Sequence, residues 1–298
     1  MKQALIKLHI AVFLWGFTGV LGRLISLNEG LLVWYRLLIT IISLYLIMRI
    51  SGQLQKVAAP QRNKLFLIGT VVALHWCFFY GSIKYSNVSI ALTCLSSAGL
   101  FTAILEPLMT GKKINMAEVL LGLIGIVGIS LIFHFDPQYK TGIILGLLCT
   151  LLSCIFSILN KKQVASTPPK TVMLYELIGG FLFLSLLMPF YLYAFPTKHL
   201  VPTINDGLWL VLLSWVCTIL AMDLSLQALK KVSAFTQNLT LNLEPVYGII
   251  LAFAVFNENR FLSKWFYLGF SLILVAVVLQ MGRIVRRGIV NKGIVNRS

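Results

Sequence analysis

Apolar residues come along this chain in blocks of about twenty, the length at which a helix crosses the hydrocarbon core of a bilayer. Such blocks predict helices near Leu8 to Ser26, Gly30 to Met48, Leu65 to Ile83, Val88 to Met109 and Ala117 to Phe135. Five more follow near Gly142 to Asn160, Thr171 to Phe195, Gly207 to Leu229, Ser233 to Phe256 and Ser263 to Met281. The connections between them are short. The longest, around Ser51 to Asn63 and Pro196 to Asp206, hold the Pro, Gly and polar residues of turns. The expected fold class is therefore all-α: a polytopic membrane protein of about ten transmembrane helices, with no extramembrane domain.

Composition agrees, since 58% of the 298 residues are hydrophobic and only 11% charged, whereas a soluble domain is about a quarter charged. A formal charge of +16 would suggest nucleic acid in a soluble protein. Here the basic residues sit in the connections between apolar blocks, so nucleic acid is not an expected partner and the lipid bilayer is. Cys77, Cys94, Cys149, Cys154 and Cys217 all lie inside apolar blocks without CxxC or metal-ligand spacing, and read as small hydrophobes. No cofactor is expected. Lys2 and Lys7 precede an apolar run, as in a signal sequence, but no small-x-small cleavage pattern follows, which favours a retained first helix.

Lysine and arginine resist translocation and accumulate in cytoplasmic loops. With the N-terminus inside, eighteen of the 25 basic residues fall on the cytoplasmic side, six (Arg23, Lys84, Lys140, Lys198, Arg260, Lys264) fall outside, and Arg36 alone lies within a helix. Both termini are accordingly expected in the cytoplasm, with the protein multi-pass in the cytoplasmic, or inner, cell membrane. The tail after Met281 repeats Gly-Ile-Val-Asn and reads as a flexible basic segment attracted to anionic lipid.

The two halves match in order. Tyr35-Arg36-Leu37 corresponds to Tyr175-Glu176-Leu177 at an offset of 140, and Ile83-Lys84-Tyr85-Ser86-Asn87-Val88 to Leu229-Lys230-Lys231-Val232-Ser233-Ala234 at an offset of 146. An odd number of helices per half makes the second copy enter from the opposite side, the inverted repeat of secondary transporters. The expected division is residues 1–136 and 137–282 as two inverted five-helix repeats, with 283–298 as a basic cytoplasmic tail.

Several segments carry a family resemblance: Trp15-Gly16-Phe17, Tyr35-Arg36, the run Ala228 to Ala234, and Leu243-Glu244-Pro245-Val246-Tyr247-Gly248 leading to Asn257-Glu258. In their order and duplication they resemble the EamA type of the drug/metabolite transporter (DMT) superfamily. The chain departs from that pattern at Gly99, where the family commonly has proline, and at Gly111-Lys112, where it has Gly-Glu. The resemblance implies efflux of a small organic metabolite, such as an amino acid, by a protein that is not an enzyme.

Ionisable and polar residues inside the spans are costly and mark candidate substrate or proton paths. Arg36 can anchor a carboxylate through its planar fork or make a structural salt bridge, for instance to Glu176. His75, beside Trp76 and before Tyr80, reads as a hydrogen-bonded interior residue or as a proton carrier, while Trp76 and Tyr80 could shape an apolar pocket. Asp223, too short to snorkel, is the leading proton-site candidate, or else makes a structural hydrogen bond to a neighbouring helix. Glu106 and Glu244 each precede a proline, which frees the carbonyls of Ala103 and Leu241 and predicts a kink at both places. Gln237, Thr240 and Glu244 share one face of the ninth helix, with Asn238 and Asn242 in an adjoining stripe, so that this helix lines a cavity or packs by polar contacts. Ser89, Thr93 and Ser97 form a smaller counterpart in the fourth.

The function expected is a secondary transporter working by alternating access, with protons as a possible coupling ion. The alternatives are an intramembrane enzyme, a lipid-linked-sugar flippase, or a receptor. The enzyme lacks a His-x-x-x-His pair, a Gly-x-Ser-x-Gly elbow or facing aspartates, and the receptor lacks any output domain.

Overall fold

A computed structural model describes residues 2–111, 113–232, 234–241 and 243–295. The described residues are helical and contain no strand. Helices α1 (Lys2–Gly16) and α2 (Thr18–Leu24) follow one another across Phe17, and then come α3 (Glu29–Ile50) and α4 (Ala59–Tyr85). Next are α5 (Val88–Leu95), α6 (Ala98–Thr110), α7 (Met116–Phe135), α8 (Lys140–Ser166) and α9 (Pro169–Ala194). Helix α10 (Ile204–Ser214) passes through a wide π turn (Trp215–Leu220) into α11 (Ala221–Leu229), and α12 (Ala234–Leu241), α13 (Glu244–Phe256) and α14 (Lys264–Val295) complete the chain.

Among the described residues, seven stretches are long and apolar enough to cross a membrane: Lys2–Leu24, Glu29–Ile50, Ala59–Tyr85, Val88–Thr110, Pro137–Ser166, Pro169–Ala194 and Ile204–Leu229. Val119–Ile132, Glu244–Phe256 and Lys264–Ala276 are shorter apolar helices that coincide with the remaining expected spans. Large apolar side chains such as Leu67, Leu186, Phe190 and Ile250 are exposed, whereas Arg36, Asn160, Glu176 and Gln237 are buried. An apolar outside around a polar interior is the arrangement lipid favours.

Local sequence sets the helix ends. The side chains of Asn28 and Asn87 accept from the backbone N–H of Leu31 and Ile90, at 2.9 and 2.8 Å, and so cap α3 and α5. Thr203 and Asp206 form a capping box on α10. Glycines allow the closest crossings. A Cβ on Gly69 would stand 1.9 Å from the Glu176 carbonyl oxygen where α4 meets α9, and Gly128 and Gly269 face each other between α7 and α14.

Helix α6 runs through Pro107, where the sequence predicts a kink, and the fourth span is interrupted further back, at Ser96 and Ser97, whose N–H groups donate to Thr93 and Cys94 carbonyls in tightened turns. Proline removes a single ladder bond, and at Pro107 the remaining ones carry the helix through. Pro245 lies in the first turn of α13, where its missing donor costs nothing, just after a second break at which Leu243 N–H donates to the Thr240 carbonyl. The tail also differs: α14 continues to Val295 rather than ending at Met281, since no proline interrupts it.

Candidate functional site

Helices α1, α3, α4, α6, α8, α11, α12 and α13 and the π turn surround a central cavity of about 80 Å³. Both helix breaks reach it, through Leu95 and Ala98 at the first and Leu241 and Glu244 at the second. Ser97 and Leu243 are separated by 146 residues, the offset at which the two halves of the sequence align.

The dominant group is Arg36, which α3 carries into the bundle and which is only 2% exposed. Its Nε donates to Thr218 Oγ1 at 2.9 Å and one terminal nitrogen donates to the Tyr80 hydroxyl at 2.7 Å. The guanidinium lies 3.8 Å from the centre of the Trp76 ring, a cation–π contact that stabilises a desolvated charge. Arginine has five N–H donors, so three are left after these two bonds, and among the described residues no carboxylate lies within ion-pair reach. Arg36 does not pair with Glu176, because Glu176 Oε2 accepts from Asn160 Nδ2 at 3.2 Å.

Glu244, in the first turn of α13, lines the same cavity and is 9% exposed. Gln237 lines it too, with its Oε1 buried and lacking a partner. His75 Nδ1 lies 2.9 Å from the Cys149 carbonyl oxygen, which requires the proton on that nitrogen and leaves Nε2 as an acceptor. Trp15, Phe79, Phe156 and Met222 make the rest of the wall largely apolar. Such a site can hold a small molecule with one anionic end, one cationic end and an apolar body.

Of the residues singled out from sequence, Arg36, His75, Trp76, Gln237 and Glu244 meet around this cavity, and Tyr80 stands behind Arg36. Glu176 lines neither this cavity nor a second, larger one of about 570 Å³ at the end of the bundle that holds Lys7, Lys170, Lys230 and Lys231. Asp223 lines that second cavity, where its Oδ2 accepts from Gln227 Nε2 at 2.9 Å and Gln227 Oε1 accepts from Lys7 Nζ at 2.5 Å. Asn242 and the side chain of Asn238 lie outside the described residues. Thr218, Thr18, Ser153 and the π turn were not singled out from sequence, although π turns gather at functional sites. The carbonyl of Cys217, within that turn, accepts from Trp15 Nε1 at 2.9 Å and ties α1 to the cavity wall.

The model of the EamA-like transporter family matches the chain in two stretches, residues 2–134 and 140–281. An uncharacterised transporter of Synechocystis sp. is 24% identical over 254 residues, 79% of this chain and 70% of that protein. An uncharacterised transporter of Haemophilus influenzae is 23% identical over 181 residues, 57% of this chain and 59% of that protein. One crystal structure superposes with a TM-score of 0.67 at 16% identity, over 93% of this chain and 96% of that one, a likeness of fold alone.

Proposed function

This chain belongs to the EamA-like transporter family of the DMT superfamily, and from that premise we propose that it exports a small zwitterionic metabolite, such as an amino acid, across the cytoplasmic membrane. The observation that carries this reading is the presence of Arg36, with three unused donors, and Glu244 on the walls of one largely apolar cavity. A carboxylate would take the guanidinium fork bidentately and an ammonium would face Glu244. The aromatic and aliphatic wall would receive the rest of the molecule.

The mechanism is alternating access by ten spans in two inverted repeats, residues 1–136 and 137–282. It draws support from the two separate family matches, one per half. Packing is also exchanged between halves: α4 lies on α8 and α9, while its repeat partner, the rod of α10 and α11, lies on α3 and α1. Broken helices at equivalent places in both halves, meeting at one cavity, are the usual construction of a transporter site. The basic bias of the connections supports both termini inside, which would turn the large lysine-lined cavity toward the cytoplasm.

The test is efflux profiling of cells overproducing the protein, joined to thermal melts of the purified protein with single amino acids. A ligand at a hundred times its Kd stabilises the folded state by about 2.7 kcal/mol. The exported compound should therefore raise the melting temperature of the wild type by more than that of Arg36→Lys. No zwitterion exported, and none that stabilises, would overturn the substrate class.

A further inference from the structure

Between α8 and α9, away from both cavities, lies an acid–amide pair with a specific deficiency. Asn160 and Glu176 are each fully buried. One arm of each planar group is used, in the bond from Asn160 Nδ2 to Glu176 Oε2. The other arm of each, Asn160 Oδ1 and Glu176 Oε1, is buried without any partner. Both orphaned atoms are acceptors in the ionised pair, and two acceptors cannot satisfy one another. A carboxylic acid and a primary amide, by contrast, join through two parallel bonds, N–H to one oxygen and O–H to the other.

We propose that Glu176 and Asn160 form the proton-binding site of this transporter, in which a proton on Glu176 Oε1 donates to Asn160 Oδ1 and closes the paired ring. One proton thus supplies a partner to both orphaned oxygens, which in the dry interior would each be costly to leave unmade. The O–H bond forms with a proton from water on one side of the membrane and breaks by returning it to water on the other. Helices α8 and α9 are held together by the ring when the proton is present and by one bond when it is absent. The coupling role rests on the transporter reading, whereas the site itself does not.

The charged groups within the span on neighbouring elements are engaged elsewhere. From α4, the backbone of Gly69 packs on the Glu176 carbonyl and His75 is bonded to Cys149. On α3, Arg36 is held by Thr218 and Tyr80. On α8, Lys161 donates to the carbonyls of Leu229 and Val232, both at 2.6 Å, and on α11 Asp223 accepts from Gln227. Asn160 is left as the group that answers the Glu176 carboxyl.

Infrared difference spectra of the full chain in liposomes, between acid and alkaline buffer, test the site directly. A buried carboxylic-acid carbonyl band is expected that vanishes in Glu176→Gln and moves to higher frequency in Asn160→Leu, where the acid loses both hydrogen bonds. Glutamine at 176 can form the same two-bond ring permanently, so Glu176→Gln should still exchange substrate while the ratio of its rates at the two pH values falls to about 1. Should Glu176→Gln fail to fold, the shift in Asn160→Leu decides. A band that survives Glu176→Gln or does not move in Asn160→Leu, or a wild type without one, overturns the site. A protein with the band that transports no substrate overturns the transporter reading instead.

Discussion

In the proposed function Arg36 is the side chain that recognises the substrate, and its chemistry separates it from lysine. The guanidinium uses two N–H groups on Thr218 and Tyr80 and its face on Trp76, leaving a planar fork for an anion. An ammonium at this position keeps the charge and loses both the fork and the stacking. Arg36→Lys should fold and weaken substrate binding by about ten- to a hundredfold, the worth of about 1.5–3 kcal/mol for a hydrogen bond to a charged group, read as Kd by thermal shift and as KM of efflux. Asp223→Asn provides a contrast, since its carboxylate lines the larger, lysine-lined cavity beside Gln227 and lies off the acid–amide pair. Its transport should keep the pH response of the wild type, and loss of that response would return the proton to Asp223. Arg36, His75, Gln237 and Glu244 were legible in the sequence because a charged or amide group in an apolar block carries a cost that only a protein-lined interior offsets. Thr218 and Ser153 were not, because a hydroxyl in a helix can satisfy itself on its own backbone, as Thr218 does on Leu213 at 2.9 Å, and so leaves no unpaid signature in the pattern.

At the scale of the helices, the crossing of α4 and α9 fixes how near the acid–amide pair comes to its neighbours. The contact is backbone to backbone at Gly69, Gly179 and Gly180, with no flexible side-chain end to give way. Gly69→Ala should therefore separate the two helices and cost about 1–3 kcal/mol, the range for overpacking. Gly125→Ala, with nothing within 4 Å, should be neutral or stabilising by up to about 1 kcal/mol from helix propensity. Thermal melts in one detergent compare the two, and an equal response would mean that the crossing is loose. Most of the helix blocks could be read from hydropathy because each holds a long apolar window, as seven of them do among the described residues. Their breaks could not be read from proline: Leu243 precedes Glu244-Pro245, but Ser96 and Ser97 lie well ahead of Pro107. Both breaks fall where the two halves correspond, so packing around the shared cavity, and not a local breaker residue, sets the first.

The molecule as a whole is expected to be symmetric in architecture and asymmetric in how its two ends are held. Reporter fusions should place Pro60, Pro168 and the C-terminus inside and Pro137 and Thr203 outside, and a C-terminus outside would break the inverted repeat. Two stretches that match one family were legible in the sequence because charges and turns recur at nearly constant offset; the fastening of the ends was not, because it depends on contacts distant in sequence. At the end that the proposed orientation turns outward, Glu258 accepts from the N–H groups of Val88 and Ser89, at 3.1 and 2.9 Å, and from Ser89 Oγ at 2.5 Å, and it pairs with Arg23. It thereby joins the link after α13 to the start of α5 and the end of α2, adding a negative charge where the dipole of α5 favours one. By the repeat offset of 146 its counterpart is Lys112, of opposite charge, so the sequence provides this fastening for one end only. Under the proposed alternating access, opening the cavity at this end would part these bonds, and Glu258→Gln removes the charge that strengthens them. If they exist only in the outwardly closed state, a loss of about 1.5–3 kcal/mol shifts the population toward opening by about ten- to a hundredfold. With the native cysteines replaced, Gln237→Cys should react faster with a membrane-impermeant thiol reagent added outside intact cells when Glu258→Gln is also present. An unchanged rate would show that Glu258 stabilises both states alike and that the outer end is closed by something else.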